Sequence, residues 1–241
     1  MDAMTGHAAY ECVVKAVELA LVKEIDAMVT SALHKEALNL AGHHFAGHTE
    51  LLAHLCGVKR VTMLLVAGDF RVSHVSTHVS LREAIERVTK DRILEVAQLT
   101  HEAVQRMGIA KPCLAVARLN PHAGEGGLFG DEEEQEIRPA VEEARAQDMY
   151  VHGPISPDTV FYRMKQRQYE AVIAMYHDQG HIPVKVLAFE HGVNVTLGLP
   201  IIRTSVDHGT AFDKAGKGTA SSYSMIEALK LAAKMASAAS Q

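Results

Sequence analysis

Short apolar stretches that alternate with amphipathic ones are the feature that most restricts how this chain can fold. RVTMLLVA (60–67), CLAVA (113–117) and EAVIAMY (170–176) have the length and composition of buried β-strands. Other stretches repeat apolar residues at helical spacing; they are residues 80–88, 91–107, 131–147, 157–168 and 221–238. Strands that alternate with helices predict an α/β fold, with a largely parallel sheet and helices on both faces.

The first part of the chain and two other strands complete this prediction. FRVSHVS (70–76) follows RVTMLLVA after the short Gly68-Asp69 link, which suits a β-hairpin. VNVTL (193–197) is predicted to be the last strand. The remaining elements are helices over 8–24 and 34–41, a strand over 25–30, and a helix near Thr49 with Thr49 as its N-cap.

The composition indicates a folded protein and argues against several partners. Of 241 residues 48% are apolar, and no linker divides the chain, so residues 1–241 form a single region with unknown internal boundaries. The net charge of −5, without a basic stripe, argues against nucleic acid. No apolar run reaches the roughly 18 residues of a membrane span, and no secretory signal opens the chain. Three scattered cysteines fit the reducing cytoplasm.

Three predicted strands lead into a histidine within a few residues. FRVSHVS is followed by His78, CLAVA by LNPHAGEGG with His122, and EAVIAMY by His177. Because the carboxyl ends of parallel strands lie at one edge of a sheet, these side chains can converge there. Three imidazoles form a divalent-metal site with open positions, although a single loop histidine is more often a solvated residue. Asp178 and Gln179 are candidates for orienting His177. Surface positions are expected for His43, His44 and His54.

The glycine-rich stretches do not identify a nucleotide. GEGGLFG (124–130) fails the dinucleotide pattern because Phe129 occupies the third glycine position. AGKG (215–218) is not a P-loop, because Gly218 follows Lys217 where serine or threonine is required. Either stretch can bring backbone N–H groups to a phosphate, or it can be an ordinary flexible loop.

Positively charged and polar residues accompany the candidate ligands. Lys185 and Arg203 lie beyond the histidine loops, with Asn194 and the pair His48-Thr49 elsewhere in the chain. Cations, an amide and a hydroxyl suit a small substrate that carries phosphate and carboxylate. The alternative is that the two cations are solvated surface charges.

Six motifs resemble those of the 4-hydroxythreonine-4-phosphate dehydrogenase family in order and spacing, from about Thr5 to the closing helix. They are GHTE (47–50), STH (76–78), LNPHAGE (119–125), PDT (157–159), MYHDQG (175–180) and GLPIIRTSVDHGTA (198–211). The phrases HDQGHIPVK and RVSHVSTH are more similar to the branch that acts on D-threonate or D-erythronate 4-phosphate.

The resemblance implies roles for individual residues. The metal ligands would be His78, His122 and His177. The substrate-binding residues would be His48, Thr49, Asp158, Lys185, Asn194 and Arg203. Asp158 would reach the site of a neighbouring subunit, since the family forms homodimers with shared active sites.

The same resemblance implies a fold and a cofactor. The fold would have two subdomains, similar to isocitrate and isopropylmalate dehydrogenases, which bind NAD without the usual glycine signature. The family belongs to pyridoxine biosynthesis. Compared with the family pattern, the chain is expected to lack an N-terminal segment.

The expected activity is oxidation and decarboxylation of a 4-phosphorylated 3-hydroxy acid, such as D-threonate 4-phosphate or 4-phosphohydroxy-L-threonine. It would use NAD and zinc, cobalt or magnesium. Lys185 would transfer a proton or only bind the substrate. One alternative is a metal-dependent hydrolase with Glu125 or Asp178 as the base. Another is an inactive, truncated relative that dimerises or binds metal.

Overall fold

Two compact units make up the structure. The computed structural model describes residues 2–121, 128–188 and 190–239. The first unit consists of the residues up to Met63 and from Glu190 onward, and the second unit consists of the residues between them. Because the chain leaves the first unit and later returns to it, no linker marks the division, and the sequence showed no boundary.

The helices and strands follow one another along the chain. In order they are α1 (Ala3–Leu21), β1 (Met28–Thr30), α2 (Lys35–Leu40), α3 (His48–Leu55), β2 (Thr62–Ala67), β3 (Phe70–His74), α4 (Leu81–Glu86), α5 (Lys90–Arg106), β4 (Leu114–Ala117), α6 (Arg138–Ala146), β5 (Val151–Ile155), α7 (Pro157–Lys165), β6 (Ala171–Ala174), α8 (His177–Ala188), β7 (Val193–Leu197), β8 (Arg203–Val206) and α9 (Tyr223–Ala239). A π-helical turn, Glu133–Ile137, precedes α6, and a 3-10 turn, Phe212–Lys214, precedes α9. Of the helices that the structure describes, none combines the length and apolarity needed to cross a bilayer.

In the first unit, β8 lies between β1 and β7 and is covered by helices on both faces. It runs parallel to β1 and antiparallel to β7. Met28 of β1 packs in an apolar cluster with Val13 of α1 and Leu52 of α3. The hydroxyl of Thr204 donates to the carbonyl of Ala228 in α9 at 2.9 Å. Since adjacent residues of a strand point to opposite faces, Arg203 lies on the face of α1 and α3.

In the second unit, the strands lie in the order β2-β3-β6-β4-β5. Strands β3, β6, β4 and β5 are parallel, and β2 is antiparallel to β3. The predicted hairpin is therefore confirmed. Gly68 at its turn has a φ of +60°, a conformation that glycine adopts without the steric penalty of a side chain.

Helices cover both faces of the second unit's sheet, as the alternation of strands and helices predicts. On one face, the hydroxyl of Thr100 in α5 donates to that of Ser73 in β3 at 2.8 Å. On the other face, α8 packs on β3 so closely that a Cβ atom at Gly180 would lie 2.3 Å from Nε2 of His74. The chain is thus an α/β protein with a mostly parallel sheet, as expected.

One edge of this sheet gathers the ends of three strands. Because β3, β6 and β4 are parallel neighbours, their carboxyl ends lie at the same edge. His78 follows β3, and α8 begins at His177 shortly after β6. The three strand ends therefore lie at one edge of the sheet, as the sequence predicted, while the convergence of all three histidines stays a prediction.

Four elements differ from the prediction. β5 and β8 were not predicted, so VNVTL is not the last strand. A loop was predicted where α8 lies, because Gly180 and Pro183 are poor helix formers. Thr49 is not the N-cap of α3: Gly47 occupies that position without a side-chain hydrogen bond.

Candidate functional site

His78 and His177 lie together at the carboxyl edge of the second unit's sheet. Their ring centroids are 5.8 Å apart, and the ring planes are inclined by 48°. A zinc–nitrogen bond is about 2.0–2.1 Å and a ring nitrogen lies about 1 Å from the ring centre, so two imidazoles on one ion have centres at most about 6 Å apart. The two rings are within this upper limit, which is reached when the nitrogens lie on opposite sides of the ion, and they would have to approach each other to about 5 Å for tetrahedral coordination.

A cavity of about 530 Å³ adjoins this pair. Its lining includes both histidines together with Thr77, Tyr176 and Asp178. His177 is half-buried and His78 is exposed, so small solutes can reach the rings. The cavity is large enough for a small substrate, and its lining combines polar groups with the apolar side chains of Val79 and Leu81.

Asp178 determines which nitrogen of His177 can bind metal. The Nδ1 atom of His177 lies 2.6 Å from Oδ1 of Asp178, and an ionised carboxylate can only accept, so Nδ1 carries the proton. The lone pair is then on Nε2. A carboxylate on the far nitrogen is the usual partner of a metal-binding histidine.

Gln179 holds the backbone of two strand ends. Its Oε1 accepts from the N–H of Met175 at 2.7 Å, and its Nε2 donates to the carbonyl of Arg118 at 2.7 Å. Gln179 thus fixes the end of β6 relative to the end of β4, which differs from the predicted contact with the His177 ring.

His122 and Glu125 lie outside the described residues. The structure therefore brings together two of the three predicted ligands, and within residues 2–121, 128–188 and 190–239 no three His, Cys, Asp or Glu side chains form a metal-binding group. The three-histidine site stays a prediction. Arg118, shortly before His122, is directed to the neighbouring strand, where its Nε donates to the carbonyl of Pro154 at 3.1 Å.

Two further histidines accompany His177, and the sequence reasoning assigned them no role. The ring of His181 stacks on His177 with centroids 3.6 Å apart and planes 13° from parallel. Nδ1 of His181 lies 3.1 Å from the His177 carbonyl and 3.1 Å from Nε2 of the buried His74. The stack restricts rotation of the His177 ring, whose terminal torsion is otherwise broad. The sequence did contain an indication of both histidines, because His181 lies in HDQGHIPVK and His74 in RVSHVSTH, the two phrases that resemble the threonate branch.

Arg203 is a buried cation in the first unit. It is 2% exposed, and it donates to the hydroxyls of Thr196 at 2.9 Å and Thr30 at 2.6 Å. Its Nε has no hydrogen-bond partner among the described residues. Burial lowers the pKa of the guanidinium to about 10, which leaves it charged at neutral pH. A buried charge held by neutral hydroxyls favours an anionic ligand.

The other three predicted substrate residues of this unit lie on α3 and β7. Burial, with a smaller contribution from the charge of Arg203, lowers the pKa of His48 to about 3, so its ring is neutral. Thr49 follows it in the first turn of α3. Asn194 lies two residues from Thr196 on β7, which places it on the sheet face of Arg203.

Lys185 and Asp158 lie on helices of the second unit. Lys185 is half-buried in the same helix as His177, eight residues later, which corresponds to about 12 Å of helical rise. That separation suits contact with a distant part of a substrate better than proton transfer beside His177. Asp158 is exposed in the first turn of α7.

His44 and His54 are exposed as predicted, whereas His43 is half-buried and stacks on Tyr10, with ring centroids 3.6 Å apart.

The fold and these side chains define an α/β protein with paired histidines at the carboxyl edge of a parallel sheet. The chain matches the family described as Pyridoxal phosphate biosynthetic protein PdxA over residues 1–232. It belongs to this family.

Individual relatives agree with this assignment. The D-threonate 4-phosphate dehydrogenase of Cupriavidus necator is 52% identical over 98% of this chain and 71% of its own length. The 4-hydroxythreonine-4-phosphate dehydrogenase of Geobacter metallireducens is 52% identical over 96% of this chain and 68% of its own. The crystal structure of 4-hydroxythreonine-4-phosphate dehydrogenase from Klebsiella pneumoniae is 48% identical, with a TM-score of 0.89 over 98% of this chain and 72% of its own.

These matches bear on two other expectations. Each runs over almost all of this chain but over only 71% and 72% of the relatives' own lengths, and the missing N-terminal segment stays a prediction. The likeness to isocitrate and isopropylmalate dehydrogenases stays a prediction.

Proposed function

We propose that this chain oxidises and decarboxylates a 4-phosphorylated 3-hydroxy acid with NAD and a divalent metal ion, and that D-threonate 4-phosphate is the substrate. The names of its relatives support a dehydrogenase for a phosphorylated hydroxy acid. The observation that carries the proposal is the His78–His177 pair at 5.8 Å beside a cavity. The resemblance of HDQGHIPVK and RVSHVSTH supports threonate over 4-hydroxythreonine.

The metal would be held by His78, His177 and His122. Neutral nitrogen ligands suit zinc or cobalt, and magnesium is the further candidate. When bound, the ion would supply a Lewis acid that stabilises negative charge on oxygen. Asp178 keeps the proton of His177 on Nδ1 and thereby keeps Nε2 available.

The substrate anions would be bound by the cationic and polar residues. Arg203 supplies a permanent charge, and His48, Thr49 and Asn194 supply uncharged hydrogen-bonding groups. Lys185 would bind the phosphate or transfer a proton. NAD enters from the resemblance alone, and no residue is assigned to it. Asp158 would complete the site of a second subunit in a homodimer.

The cytoplasm is the proposed location. Cys12, Cys56 and Cys113 are all free thiols, which fits a reducing compartment.

Absorbance of NADH tests the proposal. Purified protein is incubated with NAD, D-threonate 4-phosphate and zinc, cobalt or magnesium, and D-erythronate 4-phosphate and 4-phosphohydroxy-L-threonine serve as comparison substrates. NADH formation with release of carbon dioxide supports the dehydrogenase. Release of phosphate without NADH would instead indicate a hydrolase, and a metal-binding protein without either activity would indicate an inactive relative. Against the hydrolase, the carboxylate of Asp178 is engaged by His177 at 2.6 Å.

A further inference from the structure

A buried carboxylate holds the end of strand β4. Glu133, the first residue of the π-helical turn, is 0% exposed. Its Oε1 accepts from the backbone N–H of Leu119 at 2.9 Å and of Asn120 at 2.7 Å. Its Oε2 accepts from the side-chain amide of Asn120 at 2.9 Å.

This arrangement is an unusual use of an acidic residue. A fully buried carboxylate is unfavourable unless strong hydrogen bonds replace its hydration. Here the donors belong to the two residues that follow Arg118, whose carbonyl accepts from Gln179. Glu133 and Gln179 therefore hold one short segment, 118–120, from two sides. π-Helical turns often occur at functional sites.

We propose that Glu133 and Gln179 are positioning residues for the metal centre. Gln179 also binds Met175, two residues before His177, so together they fix the strand end that leads to His122 relative to the one that leads to His177. The inference rests on the proposed function, because it takes these histidines as ligands. Loosening the segment would weaken metal binding although neither residue touches the ion.

The chain offers a control with matched chemistry. At the amino end of the same strand, Oε2 of Glu170 accepts from the backbone N–H of Cys113 at 2.7 Å. Glu133 and Glu170 thus each hold one end of β4 by a carboxylate, but only Glu133 lies at the end that leads to a predicted ligand. A role in stability alone would make the two residues equivalent.

The experiment compares Co²⁺ binding by the wild type, Glu133→Gln, Gln179→Leu and Glu170→Gln. The dissociation constant and the visible absorption of bound Co²⁺ are measured by titration, and urea unfolding of the metal-free proteins reports stability. We expect Glu133→Gln and Gln179→Leu to weaken Co²⁺ binding by about 10-fold or more, the range seen when supporting residues of a metal site are replaced. Glu170→Gln should bind Co²⁺ like the wild type, even if it loses similar stability.

Each outcome decides the inference. If the wild type binds Co²⁺ and both Glu133→Gln and Gln179→Leu bind it equally well, the positioning role is refuted while the proposed function stands. Equal weakening by Glu133→Gln and Glu170→Gln also refutes it. If the wild type binds no Co²⁺, the metal-dependent function fails and the inference fails with it. Should Glu133→Gln not fold, Gln179→Leu alone gives the answer.

Discussion

At the scale of single residues, His48 shows how strongly the fold alters side-chain chemistry. Its imidazole lies in the first turn of α3, and burial together with Arg203 lowers its pKa to about 3. A helix N-terminus also disfavours positive charge. The ring is therefore neutral well above pH 3 and can donate or accept a hydrogen bond at neutral pH.

His48 should make stability depend on pH. Its pKa in the folded state is below the ordinary 6.5, so the unfolded state binds a proton that the folded state does not. The contribution is fully present above about pH 6.5 and is lost toward pH 3, with a slope of at most about 1.4 kcal/mol per pH unit. When the pH is lowered from 7 to 4, the free energy of unfolding measured in urea should fall less for His48→Asn than for the wild type.

The exposed His54 on the same helix provides the comparison. His54→Asn controls for replacing a histidine of α3 by asparagine at an exposed position. Parallel curves for the wild type and His48→Asn would contradict the lowered pKa.

Lys185→Met tests how this lysine acts. Because about 12 Å of helix separates it from His177, we expect KM for the phosphorylated substrate to rise about 10-fold or more with kcat nearly unchanged. Steady-state kinetics measure both, and the exposed Lys165→Met at the end of α7 is the control. A large fall in kcat at unchanged KM would instead favour proton transfer.

The sequence could predict some site residues and not others for a physical reason. His78 and His177 follow apolar strands, so local pattern places them at the sheet edge. Glu133 stands in the acidic run DEEEQE, which is typical of an exposed helix face. Its burial depends on contacts with Leu119 and Asn120 that no local pattern encodes. The stack of His181 on His177 likewise depends on helix formation where a loop was expected.

At the scale of elements, α8 is the helix whose position matters most to the candidate site. It begins with His177 and packs on β3 at Gly180. Any side chain at position 180 would separate the two elements and displace the start of the helix.

Gly180→Ala should therefore be destabilising. Its Cβ would lie 2.3 Å from Nε2 of His74 and 2.8 Å from Cγ1 of Val72. Overpacking of this kind costs about 1–3 kcal/mol, which urea unfolding measures. Gly209→Ala is the control, since no atom lies within 4 Å of its added Cβ. Equal stability of the two variants would contradict the close packing.

Two of the elements that pattern reasoning missed, β5 and α8, contain residues that normally end regular structure. β5 includes Gly153 and Pro154. Because proline cannot donate to the ladder, such a strand is tolerated only at a sheet edge, and β5 lies at the edge of the second unit's sheet. α8 contains Gly180 and Pro183. Tertiary packing on β3 overrides their low helix propensity.

At the scale of the whole molecule, a shared site in a homodimer can be tested by mixing variants. Asp158→Ala and His177→Ala should each be inactive. If Asp158 acts in the partner's site, refolding an equal mixture should restore about a quarter of wild-type NADH formation, because half of the dimers are mixed and each has one intact site. Sedimentation checks that dimers form. No recovery in a dimeric mixture would contradict a shared site.

The α/β class was predictable from sequence because the alternation of strands and helices is local information. The two units were not, because membership depends on which segments meet in space. Nothing in the composition near Met63 or Glu190 records that the chain there changes unit.

The pairing of β1 with β8 has a consequence for synthesis on the ribosome. Met28 pairs with Arg203, so β1 emerges long before its neighbour has been translated. Residues 64–189 can condense meanwhile, because their partners are close in the nascent chain. In pulse-labelled hydrogen exchange during refolding, amides of β4 and β6 should gain protection before those of β1.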